Sequence, residues 1–155
     1  MSHLRKPTIV FVSSAFHDQG YYDAIVPFLR RTEYPLDLNI KLPSVGNSSA
    51  SSLQEDANVI RNGVLDVLDK EGNNVVMVLS SYAAVPAAQG LVGLDKKTRG
   101  LGRTAILKFL FLSCNIPRIG ESHQRQFGDW AKSVGLKPEP LVTIKVRREL
   151  CVSTV

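Results

Sequence analysis

The chain is poor in the residues that most readily declare a chemistry. Two cysteines, Cys114 and Cys151, among 155 residues make neither a disulfide framework nor a thiolate metal pattern, and a reduced, cytoplasmic setting is the expectation. Three histidines, His3, His17 and His123, stand far apart, with no metal-ligand spacing around them. Glycines do not gather into a phosphate loop or a dinucleotide fingerprint. No metal and no cofactor is therefore expected. No apolar run approaches the ~20 residues that would cross a bilayer, so no membrane partner is expected either. The opening "MSHLRKPTIVFV" has a short basic start, but the run behind it reads as a strand rather than as a signal peptide.

What is present suits one globular domain: 44% hydrophobic residues and a mean hydropathy near zero. The charge is uneven. Up to Asp95 there are 7 basic and 10 acidic residues (net −3), and from Lys96 onward 12 basic and 4 acidic (net +8), which together give the formal +5. A basic final third raises the question of nucleic acid. The charges are dispersed, without interleaved aromatics or a recognisable motif, so a solvated face is the preferred reading and no nucleic-acid partner is expected.

Strand-like and helix-like segments alternate. "TIVFV" (8–12), "LDLNIKL" (36–42), "VVMVL" (75–79) and "AILKFLFLSC" (105–114) read as strands. Helical spacing runs through 21–34, with Pro27 inside it, and through 53–70, which Ser51 or Ser52 would cap. Further helices are expected over 82–94 and, less regularly, 123–135, where Phe127 and Trp130 would pack on the sheet. Residues 95–104 read as a loop, and the acidic residues between Glu55 and Asp69 as a solvated helix face. The order predicts an α/β fold: a mostly parallel sheet of about four strands in the spatial order second–first–third–fourth, with helices on both faces. The alternating "LVTIKVRREL" (141–150) is a candidate fifth, edge strand.

In such a sheet ligands sit beyond the carboxyl ends of the strands. One junction there, "VVMVLSSYAAVPAA", drops from an apolar strand through Ser80 and Ser81 into a small-residue helix. A nucleophile elbow needs this strand–serine–helix turn, with small neighbours two residues to either side. Ala83 meets that demand and Leu79 does not. The competing reading makes Ser80 and Ser81 plain helix caps. Cys114, at the end of the fourth strand, reads as a small hydrophobe rather than a thiol nucleophile.

Several unlinked motifs in order resemble a group of fungal and bacterial α/β-hydrolases. They are the first strand and the loop ending in Phe16-His17, Tyr21-Tyr22-Asp23, Leu42-Pro43-Ser44, Asp56 with Ile60-Arg61, and Ser81-Tyr82. The resemblance covers about residues 7–121 and implies a partial α/β-hydrolase fold. It implies a serine esterase-like hydrolysis of a small ester, thioester or related acyl bond, often in secondary metabolism. Position by position, Ser81 matches the nucleophile. The backbone N–H of Tyr82 matches one oxyanion donor, and that of Ala15 or Phe16 the other. His17 and Ser80 are substrate-facing candidates. The family's Pro-Gly loop is Ser13-Ser14 here, its histidine before the nucleophile is Ser80, and its glycine pair after it is Ala83-Ala84.

Family order is nucleophile, acid, histidine, and no late acid and histidine stand where that order needs them. His123 falls where a lid begins, and Asp129 fits an acid only against the topology. The expectation is thus a divided chain: 1–121 as the N-terminal part of a hydrolase domain, and 122–155 as a divergent segment. The triad is then incomplete in this chain, and a catalytically inactive ligand-binding or accessory protein is the alternative. A fourth strand without its neighbour predicts an open edge and self-association unless 141–150 covers it.

Overall fold

A computed structural model describes residues 5–15, 17, 19–38, 40–45, 52–114, 116–118, 120, 125, 128–129 and 132–135. Four strands form one parallel sheet: β1 (Thr8–Val12), β2 (Leu36–Asp37), β3 (Val75–Ser80) and β4 (Ile106–Leu112). Their order across the sheet is β2-β1-β3-β4. This is the order expected from the sequence: β2 and β3 both pair with β1, on opposite sides, and β4 pairs with β3.

The strand alternation sorts two faces. Val10, Val12, Val75, Met77 and Leu79 share one core cluster with Ile60, Val64 and Leu68. Helix α2 (Leu53–Leu65) supplies Ile60 and Val64, and Leu68 follows in a wider turn over 66–70. Each such side chain contributes roughly 1.5–3 kcal/mol by leaving water. Phe11 and Val78 face the other way, against Tyr22 and Val26. That second face is covered by a 3₁₀ turn (Gln19–Tyr22) and the short helix α1 (Val26–Arg30). Helices thus lie on both faces, the α2 side being the thicker.

Helix α2 opens as the sequence predicts, with Ser52 as cap. The Ser52 hydroxyl accepts from the Glu55 N–H and the Glu55 carboxylate accepts from the Ser52 N–H, a reciprocal capping box. Helix α3 (Ala84–Gly90) follows β3 and packs on α2. Arg61 ties the pair by donating to the carbonyls of Gly90 (2.6 Å) and Val92 (3.0 Å). A Cβ on Gly90 would sit 2.3 Å from the Ala57 carbonyl oxygen, so glycine permits this close approach.

Several elements are shorter than their patterns suggest. The helix expected over 21–34 is cut to α1 because Pro27, which has no N–H to donate, is accommodated only in a first turn. The strand expected over 36–42 keeps ladder pairing only at Leu36 and Asp37. Its alternation persists beyond the ladder, since Ile40 and Leu42 are buried in the α2-side core while Lys41 is exposed. The helix expected over 82–94 ends at Gly90. Within the expected loop 95–104, Asp95 caps a further helical turn, α4 (Lys96–Arg99), by accepting from the Thr98 N–H and hydroxyl.

Strand β4 forms one margin of the sheet. Leu107, Phe109, Leu110, Phe111 and Leu112 are each 40–46% exposed, and Phe109 stacks on Phe111 at 5.9 Å. Among the described residues no strand pairs with its outer edge. The candidate edge strand 141–150 lies outside the described residues, as do Phe127 and Trp130. Arg125, Gly128, Asp129, Lys132 and Ser133, within the helix expected over 123–135, are helical.

Candidate functional site

The parallel register decides which loops meet. Val12 pairs with Leu79 and Ser80 with Leu112, so the chain leaves β1, β3 and β4 at one end of the sheet, with β3 in the middle. The turn after β3 therefore stands between the loop that starts at Ser13 and the loop that starts at Ser113.

Ser80 keeps extended backbone (φ −109°, ψ 128°). Ser81 then turns to φ +51°, a left-handed conformation that costs a non-glycine residue about 1–2 kcal/mol. The chain enters a 3₁₀ turn (Ser81–Ala83) and α3 directly behind it. Ser80 is buried while Ser81 is exposed. A strained, exposed serine between a buried strand and a helix has the geometry of a nucleophile elbow. The cap reading fails for both serines, because neither the turn nor α3 has a side-chain cap. Ala83 and Ala84, where the family has glycines, are fully buried, so the two methyls are absorbed by packing.

The loop after β1 is organised by its serines. The Ser13 hydroxyl donates to the His17 carbonyl (2.9 Å), the His17 N–H donates to the Ser14 carbonyl (3.2 Å), and His17 Nδ1 lies 3.2 Å from Ser14 Oγ. Ser13 and Ser14 are buried. Neither takes a positive φ, so this tight loop forms without the glycine of the family pattern. Ala15 is half-buried on it, and Phe16 lies outside the described residues. The His17 ring packs on Tyr21 at 4.5 Å, and the Tyr21 hydroxyl is 3.5 Å from Ser80 Oγ. His17, Tyr21 and Ser80 thus form a polar run that ends beside Ser81. The Tyr22 hydroxyl donates to the Val12 carbonyl (3.0 Å), and burial raises its pKa well above the usual tyrosine range.

The residue after Ser81 is held from behind. The Tyr82 hydroxyl donates to Asp56 Oδ2 (2.8 Å). Asp56 is fully buried, which corrects the reading of Glu55 to Asp69 as an all-solvated acidic face. Its carboxylate also accepts from the Ser44 N–H (3.0 Å) and the Ser44 hydroxyl (2.7 Å). Burial first, and the Asp56 carboxylate second, push the Tyr82 phenol above its ordinary range. Cys114 donates from Sγ to the Leu79 carbonyl (3.2 Å), and burial raises its thiol pKa, which fits the reading of a small packed side chain.

The structure therefore brings Ser80, Ser81, Tyr82, Ala15 and His17 to one end of the sheet. Sequence reasoning missed Ser44, Asp56 and Tyr21 as parts of this site, although all three lie inside the motifs that carry the family resemblance. His3 and His123 fall outside the described residues. Among the described residues no group of three or more His, Cys, Asp or Glu could hold a metal, and no helix is long and apolar enough to cross a membrane.

Comparison with known proteins agrees with the geometry. A probable hydrolase of Phoma sp. is 33% identical over 128 residues, which are 81% of this chain and 49% of that protein. An α/β hydrolase of Aspergillus novofumigatus is 27% identical over 118 residues, 76% of this chain and 46% of its own length. The chain thus spans about half the length of the curated relatives it matches. No family model matches, and no solved structure does. The strand order, the strained serine behind the third strand and this similarity point the same way: the chain is similar to α/β-hydrolases over about half of their length, and its parallel sheet is consistent with part of their fold.

Proposed function

We propose that the chain carries the nucleophile of a serine hydrolase acting on a small ester, thioester or related acyl bond. The observation that supports it most directly is Ser81: exposed, at φ +51°, between β3 and α3. In this mechanism Ser81 Oγ attacks the acyl carbon as its proton passes to a base. The tetrahedral oxyanion accepts hydrogen bonds from the Tyr82 N–H and from an N–H of the Ala15-Phe16 loop. Collapse expels the alcohol or thiol and leaves an acyl-Ser81 ester, which water then hydrolyses. A serine hydroxyl needs a base to react at neutral pH. The ring contacts of His17 are to Ser14 and Tyr21, so the base is assigned to none of the described residues.

The test is to treat the folded chain with a fluorophosphonate, with Ser81→Ala as control, and to weigh both intact. One adduct that the control lacks is expected. A well-folded chain that gains none makes the turn architectural only.

The exposed β4 favours a second reading, an accessory protein whose partner is another copy of this chain. A two-fold pairing centred on Phe109 would set Lys108 opposite Leu110, so that like charges do not meet. Light scattering should then show a dimer at high concentration that Leu110→Lys weakens. A monomer throughout sinks this reading.

A further inference from the structure

The Tyr82 N–H is useful at an oxyanion only if its direction is held, and the turn that carries it has no side-chain cap. Its neighbour Ser81 is strained, so the surrounding structure must over-determine the conformation. The Tyr82 side chain shows how. It runs inward to pack beside Val85 and Leu53, and its hydroxyl ends on Asp56.

Asp56 is an expensive residue to place there. A fully buried carboxylate forfeits its hydration unless it is well hydrogen-bonded. It is served by three donors: the Ser44 N–H, the Ser44 hydroxyl and the Tyr82 hydroxyl. These donors are neutral, and hydrogen bonds to a charged acceptor are roughly twice as strong as neutral ones. For packing alone an apolar side chain of similar volume would serve as well or better. What the carboxylate adds is direction. It joins three segments distant in sequence: the Leu42-Pro43-Ser44 turn, α2 and the elbow.

We propose that Asp56 is the positioning residue of the elbow, fixing the Tyr82 backbone N–H through the Tyr82 hydroxyl. This rests on the reading of Ser81 as nucleophile; Asp56 itself touches no reacting atom. Small misplacements at such a donor are costly, since about 1 Å can lose roughly a hundredfold in rate.

The experiment uses the whole chain with two variants, Tyr82→Phe and Asp56→Asn, and reads two quantities. One is the rate constant for phosphonylation of Ser81, separated from initial probe binding. The other is amide hydrogen exchange across residues 80–84. Thr104→Val, which removes a bond to the Leu68 carbonyl at the opposite end of the sheet, serves as control. The expected result is phosphonylation slowed about tenfold or more in both variants. Probe binding should change little, and exchange should quicken over 80–84 but not over β1. Thr104→Val should lower stability and leave labelling unchanged. Both variants labelling at the wild-type rate with unchanged local exchange would overturn the proposal. So would labelling that falls only in step with global unfolding. If the wild-type chain itself takes no label, the Ser81 reading fails, and exchange alone decides: local loosening upholds Asp56 as the anchor of the turn, and no change refutes it.

Discussion

Strain at Ser81 predicts an inversion of an ordinary rule. In regular backbone, alanine is more stable than glycine by about 0.5–1 kcal/mol, because glycine loses more freedom on folding. At φ +51° an alanine carries the left-handed penalty of about 1–2 kcal/mol, which glycine avoids. Subtracting the glycine entropy leaves Ser81→Gly more stable than Ser81→Ala by about 0.5–1 kcal/mol. At roughly 3 °C per kcal/mol for a chain of this size, Tm should rise by about 1.5–3 °C. Ala88→Gly, in the ordinary helical backbone of α3, should lose about 1 kcal/mol. Urea unfolding of the three variants, fitted with a common slope, measures all of this. A Ser81→Gly chain no more stable than Ser81→Ala would refute the strained turn and remove the main geometric argument for an elbow.

Other perturbations test the scaffold. Gly90→Ala places a methyl 2.3 Å from the Ala57 carbonyl oxygen, so α2 and α3 must separate and the Arg61 bonds to Gly90 and Val92 must stretch. A loss of about 1–3 kcal/mol is expected in urea unfolding, and a loss under about 0.5 kcal/mol would show that the helices can slide. The phenols of Tyr22 and Tyr82 are raised from an ordinary value of 10.0, chiefly by burial. The folded chain therefore keeps protons that the unfolded chain releases, and the stability due to these groups, fully present below about pH 10, falls as pH rises beyond it. Urea midpoints at about pH 9 and pH 11 should show the fall, and Tyr22→Phe or Tyr82→Phe should each flatten it; equal midpoints for the wild type would contradict both burials.

Much of the fold was legible because local patterns and tertiary demands agree. The β-branched runs at 8–12 and 75–79 read as buried strands, and they are strands buried along most of their length. Ser52 and Glu55 stand at capping-box spacing and form one. The readings that fell short share a cause. The alternation of 36–42 records burial correctly, but hydrogen bonding extends only as far as β1 stays alongside, and no residue in the segment encodes that. Pro27 was visible, yet only the packing of Val26 against Phe11 and Tyr22 shows that the helix begins there rather than passing through.

The candidate site divides in the same way. Sequence alone determined that a serine follows a buried strand and precedes a small-residue helix, because apolar pattern and residue size are local properties. It also placed the segments that carry Ser81, Tyr82, Ala15 and His17 at one end of a parallel sheet. Tertiary structure decided that Ser81, rather than Ser80, takes the left-handed turn and faces solvent. It decided that Asp56 leaves the acidic helix face to hold Tyr82 and Ser44 in the interior. An acidic residue on a helix is solvated or buried according to what packs above it. The donors that make Asp56 tolerable lie 12 and 26 residues away in sequence, within reach only once the loop after β2, the helix α2 and the turn after β3 have closed around it.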